Sequence, residues 1–232
     1  MQHIGIVGGS AEGAALCYRT LCVEAAEFLG PHAHPEVTLH NSSLDGYMQC
    51  IYRNDWNAVG DQLLASVGKL AKAGADFVIC PDNTFHQALP CVLPRSPLPW
   101  LHIAEVVAEE AVKRGFKRLG LTGTRWLLES NVYPEKLEAR GLAYVRPGAA
   151  ERGELGRIIM DELVCSTFKP ESVATFQRVI EQLKAEGCDA VILGCTEIPL
   201  IINDGNSVLP TLDSTRLLAR AALRRAIGSG HS

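Results

Sequence analysis

The sequence predicts an α/β fold of two similar units, each built on a parallel sheet, and three observations support this. Short apolar runs alternate with longer amphipathic segments, glycine-rich or polar turns follow the apolar runs, and the whole pattern occurs twice along the 232 residues. Continuous apolar strands that alternate with helices are typical of parallel sheets covered on both faces. A chain of this length can bury one large core or two small ones.

Strands and helices follow one another along the chain. The first strand is apolar and closes on Gly8-Gly9, and the long helix of the first half has Leu63, Val67 and Leu70 on one face. In the first half we predict strands at residues 3–9, 36–40, 76–80 and 100–103, helices at 11–29 and 55–73, and a loop at 45–54. In the second half we predict strands at residues 118–122 and 190–193, and helices at 104–114, 126–140, 151–164, 170–186 and 214–227.

The repeat is clearest where a buried strand runs into a polar turn. Residues 74–84 read Gly-Ala-Asp-Phe-Val-Ile-Cys-Pro-Asp-Asn-Thr, and residues 187–197 read Gly-Cys-Asp-Ala-Val-Ile-Leu-Gly-Cys-Thr-Glu. At matched positions, 113 residues apart, one copy has Asp82 and the other has Cys195. Two similar units with two different proton-transfer groups are what an enzyme needs to act on both faces of one small molecule.

A second match shows that the repeat is wider than this segment. Residues 4–10 correspond to residues 119–125, an offset of 115 that is close to the first one. Two matches in the same order indicate duplicated α/β units, and the proline-rich segment 94–99 is a plausible boundary. We therefore predict two lobes, with the last helix returning to the first: residues 1–103 plus 212–232, and residues 104–211.

Composition and charge exclude several classes of function. The net charge of −4 and the pI near 6.0 argue against nucleic-acid binding. No apolar run reaches the roughly 18 residues of a membrane span, and the first residues start a strand without a secretory signal. We therefore expect a cytoplasmic protein without membrane attachment. The eight cysteines fit reduced thiols rather than disulfides, and their spacing predicts no metal site.

The two polar turns hold the candidate acid/base groups. Ligands of open α/β sheets bind beyond the carboxyl ends of the strands, where these turns lie. Cys195 precedes Thr196 and Pro199, so we predict a thiol at a helix N-terminus, where the helix dipole favours the thiolate. The alternative is a small core residue. Asp82 lies in the equivalent turn, and its alternative role is a helix N-cap.

Polar groups next to these two residues are candidates for binding a carboxylate. Asn83, Thr84 and Thr196 can donate hydrogen bonds, and main-chain amides at both helix starts would add to them. Gly8-Gly9 and Gly123-Thr124, at the ends of two other strands, could supply further donors.

Several motifs together carry a family resemblance. The segment Leu-Gly-Cys-Thr-Glu-Ile-Pro-Leu at residues 193–200 is the most specific of them. The others lie at residues 4–9, 83–86, 101–103, 120–125, 169–172 and 212–216. On these residues the chain resembles the aspartate/glutamate racemase family, within the group that includes hydantoin racemases, glutamate racemase and maleate isomerases.

The resemblance implies a fold and an activity. The implied fold has two Rossmann-like lobes related by pseudo-twofold symmetry, with the active site in the cleft between them, and the implied assembly is a homodimer. The implied activity is that of a cofactor-independent racemase or epimerase acting on an aspartate- or glutamate-like amino acid. In such enzymes two acid/base groups face each other across Cα, and one removes the proton as a thiolate.

The resemblance also assigns site residues. Cys195 matches the second family cysteine, and Asp82 occupies the place of the first, so these two are the predicted catalytic pair. Lys169 matches the lysine that meets the side-chain carboxylate of the substrate. The residues predicted to bind substrate are Ser10, Arg53, Asn83, Thr84, Phe85, Thr124, Lys169, Thr196 and Glu197.

Two features depart from the family pattern. Asp82 replaces a cysteine, and a carboxylate of reference pKa about 3.9 is a weaker base than a thiolate of about 8.5, by roughly 6 kcal/mol in proton affinity. Burial can raise a carboxyl pKa by about 3–5 units, so an Asp/Cys pair could still racemise, with unequal rates in the two directions. In the segment 45–54, Tyr47 and Met48 are among the apolar residues that stand where the family places polar contacts, and Arg53 is its single cation.

Three functions therefore remain open from the sequence. The first is the racemase or epimerase, with Cys195 and Asp82 as opposed groups. The second keeps Cys195 but makes the chain a lyase, decarboxylase or cis-trans isomerase of a small dicarboxylate. The third is a non-catalytic binder of a small carboxylate, in which Cys195 has no special reactivity.

Overall fold

The computed structural model describes residues 1–228, and they form two compact units. The first unit contains Met1–Ile103 and the C-terminal segment that begins at Thr215, and the second contains Ala104–Ser214. Each unit has one parallel sheet, so the predicted α/β class is confirmed. Residues 229–232 of the predicted first lobe lie outside the described residues. Within residues 1–228, no helix combines the length and the apolar character that crossing a bilayer requires.

The first unit contains a three-stranded sheet with the strand order β2-β1-β3. Its strands are β1 (Ile4–Gly8), β2 (Val37–Asn41) and β3 (Phe77–Ile79). The central strand β1 is buried at every residue, as expected for a strand covered on both faces. The helices of this unit are α1 (Ala11–Glu24), α2 (Ala26–Leu29), α3 (Leu44–Tyr52), α4 (Trp56–Lys72) and α5 (Leu89–Val92), with 3-10 helices at Asn83–Ala88 and Leu93–Arg95.

The second unit repeats this arrangement with one more strand, in the order β5-β4-β6-β7. Its strands are β4 (Arg118–Gly123), β5 (Ala143–Val145), β6 (Ala190–Gly194) and β7 (Thr211–Asp213). In both units the first strand is central, the second lies on one side and the third on the other, which supports the duplication seen in the sequence. The helices of the second unit are α6 (Ile103–Lys113), α7 (Arg125–Leu128), α8 (Val132–Glu138), α9 (Ala149–Asp161) and α10 (Pro170–Ala185), with 3-10 helices at Leu163–Cys165 and Ile198–Leu200. The last helix, α11 (Ser214–Ile227), lies almost wholly in the first unit.

The segment 45–54, predicted as a loop, is a helix. In α3 the buried side chains of Tyr47, Met48 and Ile51 fall at helical spacing and pack inward. Burial of this apolar face stabilises a helix of only nine residues, which would be marginal alone. The family resemblance implies a loop here, whereas the spacing of the buried apolar residues is that of a helix.

Other differences concern short elements. The predicted helix 126–140 is divided into α7 and α8, and Pro134, which lacks an N–H, lies in the first turn of α8. The predicted strand 100–103 is reduced to a single parallel bridge between Trp100 and Val78, and the preceding Pro99 contributes only its carbonyl. Strands β5 and β7 have three residues each, which is too short for a sequence pattern to predict them.

Helix α10 packs closely over the central strand of the second unit. A Cβ on Gly120 of β4 would lie 2.8 Å from Leu183 Cδ1 and 3.2 Å from Leu183 Cβ. Gly153, in contrast, lies in the exposed face of α9 with nothing within 4 Å of its Cβ position.

We therefore expect Gly120→Ala to lower the free energy of unfolding by about 1–3 kcal/mol, because the added methyl group overpacks the contact with Leu183. The control Gly153→Ala should raise it by about 0.5–1 kcal/mol, because alanine favours the helix. Chemical denaturation of both variants measures the two changes. A Gly120→Ala variant as stable as the control would contradict the close packing of α10.

Candidate active site

The first unit presents Asp82 just after β3. Its Oδ2 accepts a hydrogen bond from the N–H of Gly9, at 3.0 Å, in the turn that follows β1. Because β1 and β3 pair in parallel, the turns at their carboxyl ends are neighbours. The side chain makes no capping bond to the 3-10 helix that follows, so the N-cap alternative is not supported in the described chain.

Two stacked aromatic rings line the same turn. The ring centroids of Tyr47 and Phe85 are 4.3 Å apart, at an interplanar angle of 29°. A Cβ on Gly9 would lie 2.4 Å from Phe85 Cε2, so the ring and the Gly9 backbone are in contact. Burial raises the pKa of the Tyr47 hydroxyl to about 12, and the charge of Asp82 adds to the effect. Burial and the charge of Asp82 also raise the pKa of Cys80 well above its usual value. Both groups therefore stay neutral beside Asp82.

The other predicted residues of the first unit have identifiable positions. Ser10 Oγ accepts from the Gly13 N–H at 3.2 Å and caps α1. The buried Asn83 donates from Nδ2 to the Pro81 carbonyl at 3.3 Å, and it begins the 3-10 helix that also contains Thr84 and Phe85.

Arg53 is in a different environment from these residues. It follows the last turn of α3, is exposed, and its guanidinium lies 3.8 Å from the sulfur of Cys50. The structure thus groups Ser10, Asn83, Thr84 and Phe85 near the end of the sheet with Asp82.

The second unit presents Cys195 just after β6. Strand β6 pairs with β4 up to Gly194 opposite Gly123, and a Cβ on Gly194 would lie 2.5 Å from the carbonyl oxygen of Thr122. This close approach requires glycine at that position. The α-helix predicted after Cys195 is wrong: the segment forms one 3-10 turn, Ile198–Leu200. A single turn sums few peptide dipoles, so the predicted helix-dipole effect on the thiol is not available.

A buried carboxylate lies beside the thiol instead. Glu197 is 1% exposed, and its Oε2 accepts hydrogen bonds from Cys195 Sγ at 3.0 Å and from Thr196 Oγ1 at 2.7 Å. Its other oxygen, Oε1, is buried and has no hydrogen-bond partner among the described residues. Cys195 is 8% exposed and Thr196 is 2% exposed. Glu197, predicted to bind substrate, is thus in direct contact with the predicted catalytic thiol.

Thr124 and Lys169 complete the predicted residues of this unit. Thr124 Oγ1 accepts from the Leu127 N–H at 3.2 Å and caps α7, the same role that Ser10 has in the first unit. Lys169, just before α10, is half exposed, and its Nζ lies 3.4 Å from Glu162 Oε1.

Glu162 is a buried charge that the sequence did not reveal. It accepts from Ser172 Oγ at 2.5 Å and from Arg157 at 2.9 Å, in addition to the ion pair with Lys169. The hydrogen bond from Ser172, followed by that from Arg157, lowers the pKa of the carboxyl to about 2. Its partners come from two helices and the turn between them, so no local motif marks them.

No metal centre is apparent in the described part of the chain. Over residues 1–228, no group of three or more His, Cys, Asp or Glu side chains is arranged to hold a metal ion.

The fold and the two turns define a class: duplicated α/β proteins that present an ionisable side chain at the carboxyl end of a parallel strand in each unit. Within this class, the chain belongs to the Asp/Glu/hydantoin racemase family, whose model matches residues 6–222.

Individual relatives agree with this assignment. Over 159 residues the chain is 24% identical to the broad specificity amino-acid racemase RacX of Bacillus subtilis, covering 67% of this chain and 66% of the relative. Over 167 residues it is 29% identical to glutamate racemase of Thermus thermophilus, covering 70% and 60%. The crystal structure of an aspartate racemase homologue from Pyrococcus horikoshii is 30% identical, with a TM-score of 0.82 and coverage of 98% and 100%. The chain thus spans about 60–66% of the length of the first two relatives and the whole of the third.

The low pKa of Glu162 makes a prediction about acid stability. An unfolded glutamate has a pKa of about 4.3, so the folded state is favoured above that value and loses this contribution as the pH falls toward about 2. Between pH 5 and pH 2 the wild type should therefore lose more free energy of unfolding than Glu162→Gln. Urea denaturation at a series of pH values measures the two slopes. The control is Glu154→Gln, whose ion pair with Arg178 is exposed, and it should follow the wild type. Parallel slopes for wild type and Glu162→Gln would contradict the buried ion cluster.

Proposed function

We propose that this chain is a cofactor-independent amino-acid racemase, an isomerase that removes and returns the Cα proton between Asp82 and Cys195. The observation that supports this most is the equivalence of the two turns. Each group follows the third strand of its unit, next to the glycine turn that ends the central strand. The family assignment and the activities named for the relatives support the same reaction.

Racemisation needs a base on one face of Cα and an acid on the other, each within hydrogen-bond reach. The charge left after proton removal spreads into the α-carboxylate, so donors to that group stabilise the transition state. We assign Asn83, Thr84 and Thr196 to the α-carboxylate, and the Thr196 hydroxyl, which donates to Glu197 Oε2 in the structure, would turn its proton to the substrate. Ser10 and Thr124 would add hydroxyl groups at the ends of the central strands, because a hydroxyl that accepts a capping hydrogen bond can also donate one.

The proposed substrate is an acidic or closely related amino acid. Lys169 is the proposed contact for the side-chain carboxylate, and it would share its charge between the substrate and Glu162. Arg53 is the second candidate cation, at the end of α3. Phe85, stacked on Tyr47, would pack against the hydrocarbon part of the substrate.

We also propose that the chain acts as a cytoplasmic homodimer. The relatives whose names state an activity act on amino acids, which are cytoplasmic metabolites, and the expectation of a dimer comes from the family resemblance. Light scattering on a size-exclusion column distinguishes a mass near 50 kDa, expected for two chains of 25.1 kDa, from that of a monomer.

The test of the activity is proton exchange in deuterated water. The protein, without any added cofactor, is incubated with each enantiomer of a panel of amino acids, and NMR follows the Cα–H signal while polarimetry follows optical purity. Exchange with racemisation of at least one amino acid is the expected result. No exchange on any amino acid would overturn the proposal and direct attention to dicarboxylate chemistry or simple binding.

Removing either acid/base group should abolish racemisation. We expect Asp82→Asn and Cys195→Ala to lower the racemisation rate by about 10²–10⁴-fold, which is the usual contribution of one general acid or base. The matched controls are Asp161→Asn and Cys165→Ala, which change exposed residues of the same types and should keep the wild-type rate. A Cys195→Ala variant that racemises like Cys165→Ala would show that the thiol is not part of the reaction.

The role of Lys169 has its own test. Lys169→Gln should raise KM for an acidic substrate by about 10-fold and leave KM for a neutral amino acid nearly unchanged, because one charge pairing of about 1.4 kcal/mol is lost. Lys184→Gln, an exposed lysine of α10, is the control. Steady-state kinetics measures KM for both substrate types. Equal changes in KM for acidic and neutral substrates would show that Lys169 does not bind the side-chain carboxylate.

A further inference from the structure

Glu162 anchors the turn between α9 and α10. Its main-chain carbonyl accepts hydrogen bonds from the N–H groups of Cys165 at 3.0 Å and Thr167 at 2.9 Å. Its carboxylate is buried, and Oε2 accepts from the hydroxyl of Ser172, in the first turn of α10, at 2.5 Å. The main chain and the side chain of Glu162 therefore both hold the segment that leads to Lys169, which occupies the N-cap position of α10.

Two cations meet the other oxygen of this carboxylate. Arg157 Nη1 donates to Glu162 Oε1 at 2.9 Å, and Lys169 Nζ lies 3.4 Å from the same atom. A buried carboxylate needs a compensating positive charge, and one cation is enough to balance it. The cluster of Arg157, Glu162 and Lys169 thus carries one positive charge more than the carboxylate requires.

Arg157 is the closer of the two cationic partners. A guanidinium also presents its donors in a fixed geometry, so it loses little freedom on forming a hydrogen bond, whereas the ammonium of a lysine sits on a flexible stem. The hydrogen bond from Ser172, followed by that from Arg157, lowers the pKa of the Glu162 carboxyl to about 2, and the contribution of Lys169 is smaller. When Lys169 turns away, the carboxylate keeps Ser172 and Arg157.

Lys169 is placed to meet an anion from outside the cluster. Its side chain is 52% exposed, so the ammonium group reaches solvent. It stands at the N-terminus of α10, a helix of 16 residues. The positive end of a helix dipole disfavours a neighbouring cation and favours an anion. An anion bound by Lys169 would therefore interact favourably with the ammonium group and with the helix terminus.

We propose that Arg157 is a positioning residue of the substrate site: by holding the charge of Glu162, it releases Lys169 to bind the side-chain carboxylate of an acidic amino acid. The identity of this ligand rests on the proposed racemase function. No covalent bond changes in the exchange, since the ammonium of Lys169 turns from one carboxylate to another while the buried one stays paired. Arg157 thus sets the preference for acidic substrates through Lys169, and every protein group involved belongs to the second unit.

The exchange determines how the cluster responds when a member is lost. Without Arg157 the buried carboxylate depends on Lys169, and moving that ammonium to a ligand would leave a buried charge unpaired, which is strongly unfavourable. Without both Arg157 and Glu162, no buried charge retains Lys169, and it can bind the ligand again. A residue that only stabilises the fold would not have its loss reversed by a second loss.

The first experiment measures kcat and KM for an acidic and a neutral amino acid. We expect Arg157→Gln to raise KM for the acidic substrate by about 10-fold, and to leave kcat and the KM for the neutral substrate within about twofold of the wild type. Arg157→Lys, which keeps a cation, should recover most of this loss, and so should Arg157→Gln combined with Glu162→Gln. The control is Arg178→Gln, which removes an exposed ion pair with Glu154 and should leave both constants unchanged.

Two outcomes of this experiment would overturn the proposal. Equal losses on the acidic and the neutral substrate would mean that Arg157 supports the fold and not the function of Lys169. A double variant with a higher KM for the acidic substrate than Arg157→Gln would mean that Glu162 does not compete with the substrate for the ammonium group.

The second experiment requires no activity. Urea denaturation at pH 7 is recorded for Arg157→Gln and Lys169→Gln, each alone and each combined with Glu162→Gln. We expect Arg157→Gln to lower the midpoint at least about twice as much as Lys169→Gln, and both differences to disappear in the Glu162→Gln background. A Lys169→Gln shift that equals or exceeds that of Arg157→Gln would make Lys169 the retained partner and overturn the proposal. If the wild type racemises no amino acid, the racemase function fails, and the midpoints still decide which cation Glu162 retains.

Discussion

Parallel pairing between a central strand and the third strand of its unit is the constraint on which both candidate turns depend. In the first unit it places the Gly9 N–H 3.0 Å from the Asp82 carboxylate. In the second it brings Gly194 so close to the Thr122 carbonyl that a Cβ would lie 2.5 Å from that oxygen. The glycines at these strand ends allow two backbones to approach without side chains between them. Both ionisable groups therefore lie at the carboxyl ends of paired parallel strands.

The two turns follow equivalent strands of their units, but their ionisable groups have different hydrogen-bond partners. Asp82 meets a main-chain donor beside the stacked rings of Tyr47 and Phe85, so its carboxylate is supported by an amide in apolar surroundings. Cys195 donates instead to a buried side-chain acceptor, Glu197. Equivalent positions of the two units thus carry a carboxylate that accepts from the main chain and a thiol that donates to a side chain.

The sequence predicted the long buried strands and the position of both turns, because apolar runs and an internal repeat are local signals. It did not predict α3, although Tyr47, Met48 and Ile51 have helical spacing, since the segment was interpreted as a loop by analogy. The hydrogen bonds of Glu162 could not be predicted from the sequence, because Arg157 and Ser172 come together only when two helices pack. The contact of Glu197 with Cys195 joins residues two apart, yet its direction depends on a 3-10 turn where an α-helix was expected. Tertiary geometry, and not composition, decides such side-chain contacts.

The hydrogen bond from Cys195 to Glu197 also bears on how long the protein survives oxidative stress. Peroxides attack thiolates, and the first oxidised product, a sulfenic acid, forms fastest at exposed cysteines that have lost their proton. A sulfur that is 8% exposed and donates its proton to a neighbouring carboxylate is a poor target by both criteria. The exposed Cys165, on the surface of the same unit, is the more accessible thiol. The same hydrogen bond thus also limits the irreversible loss of Cys195 as a sulfinic acid.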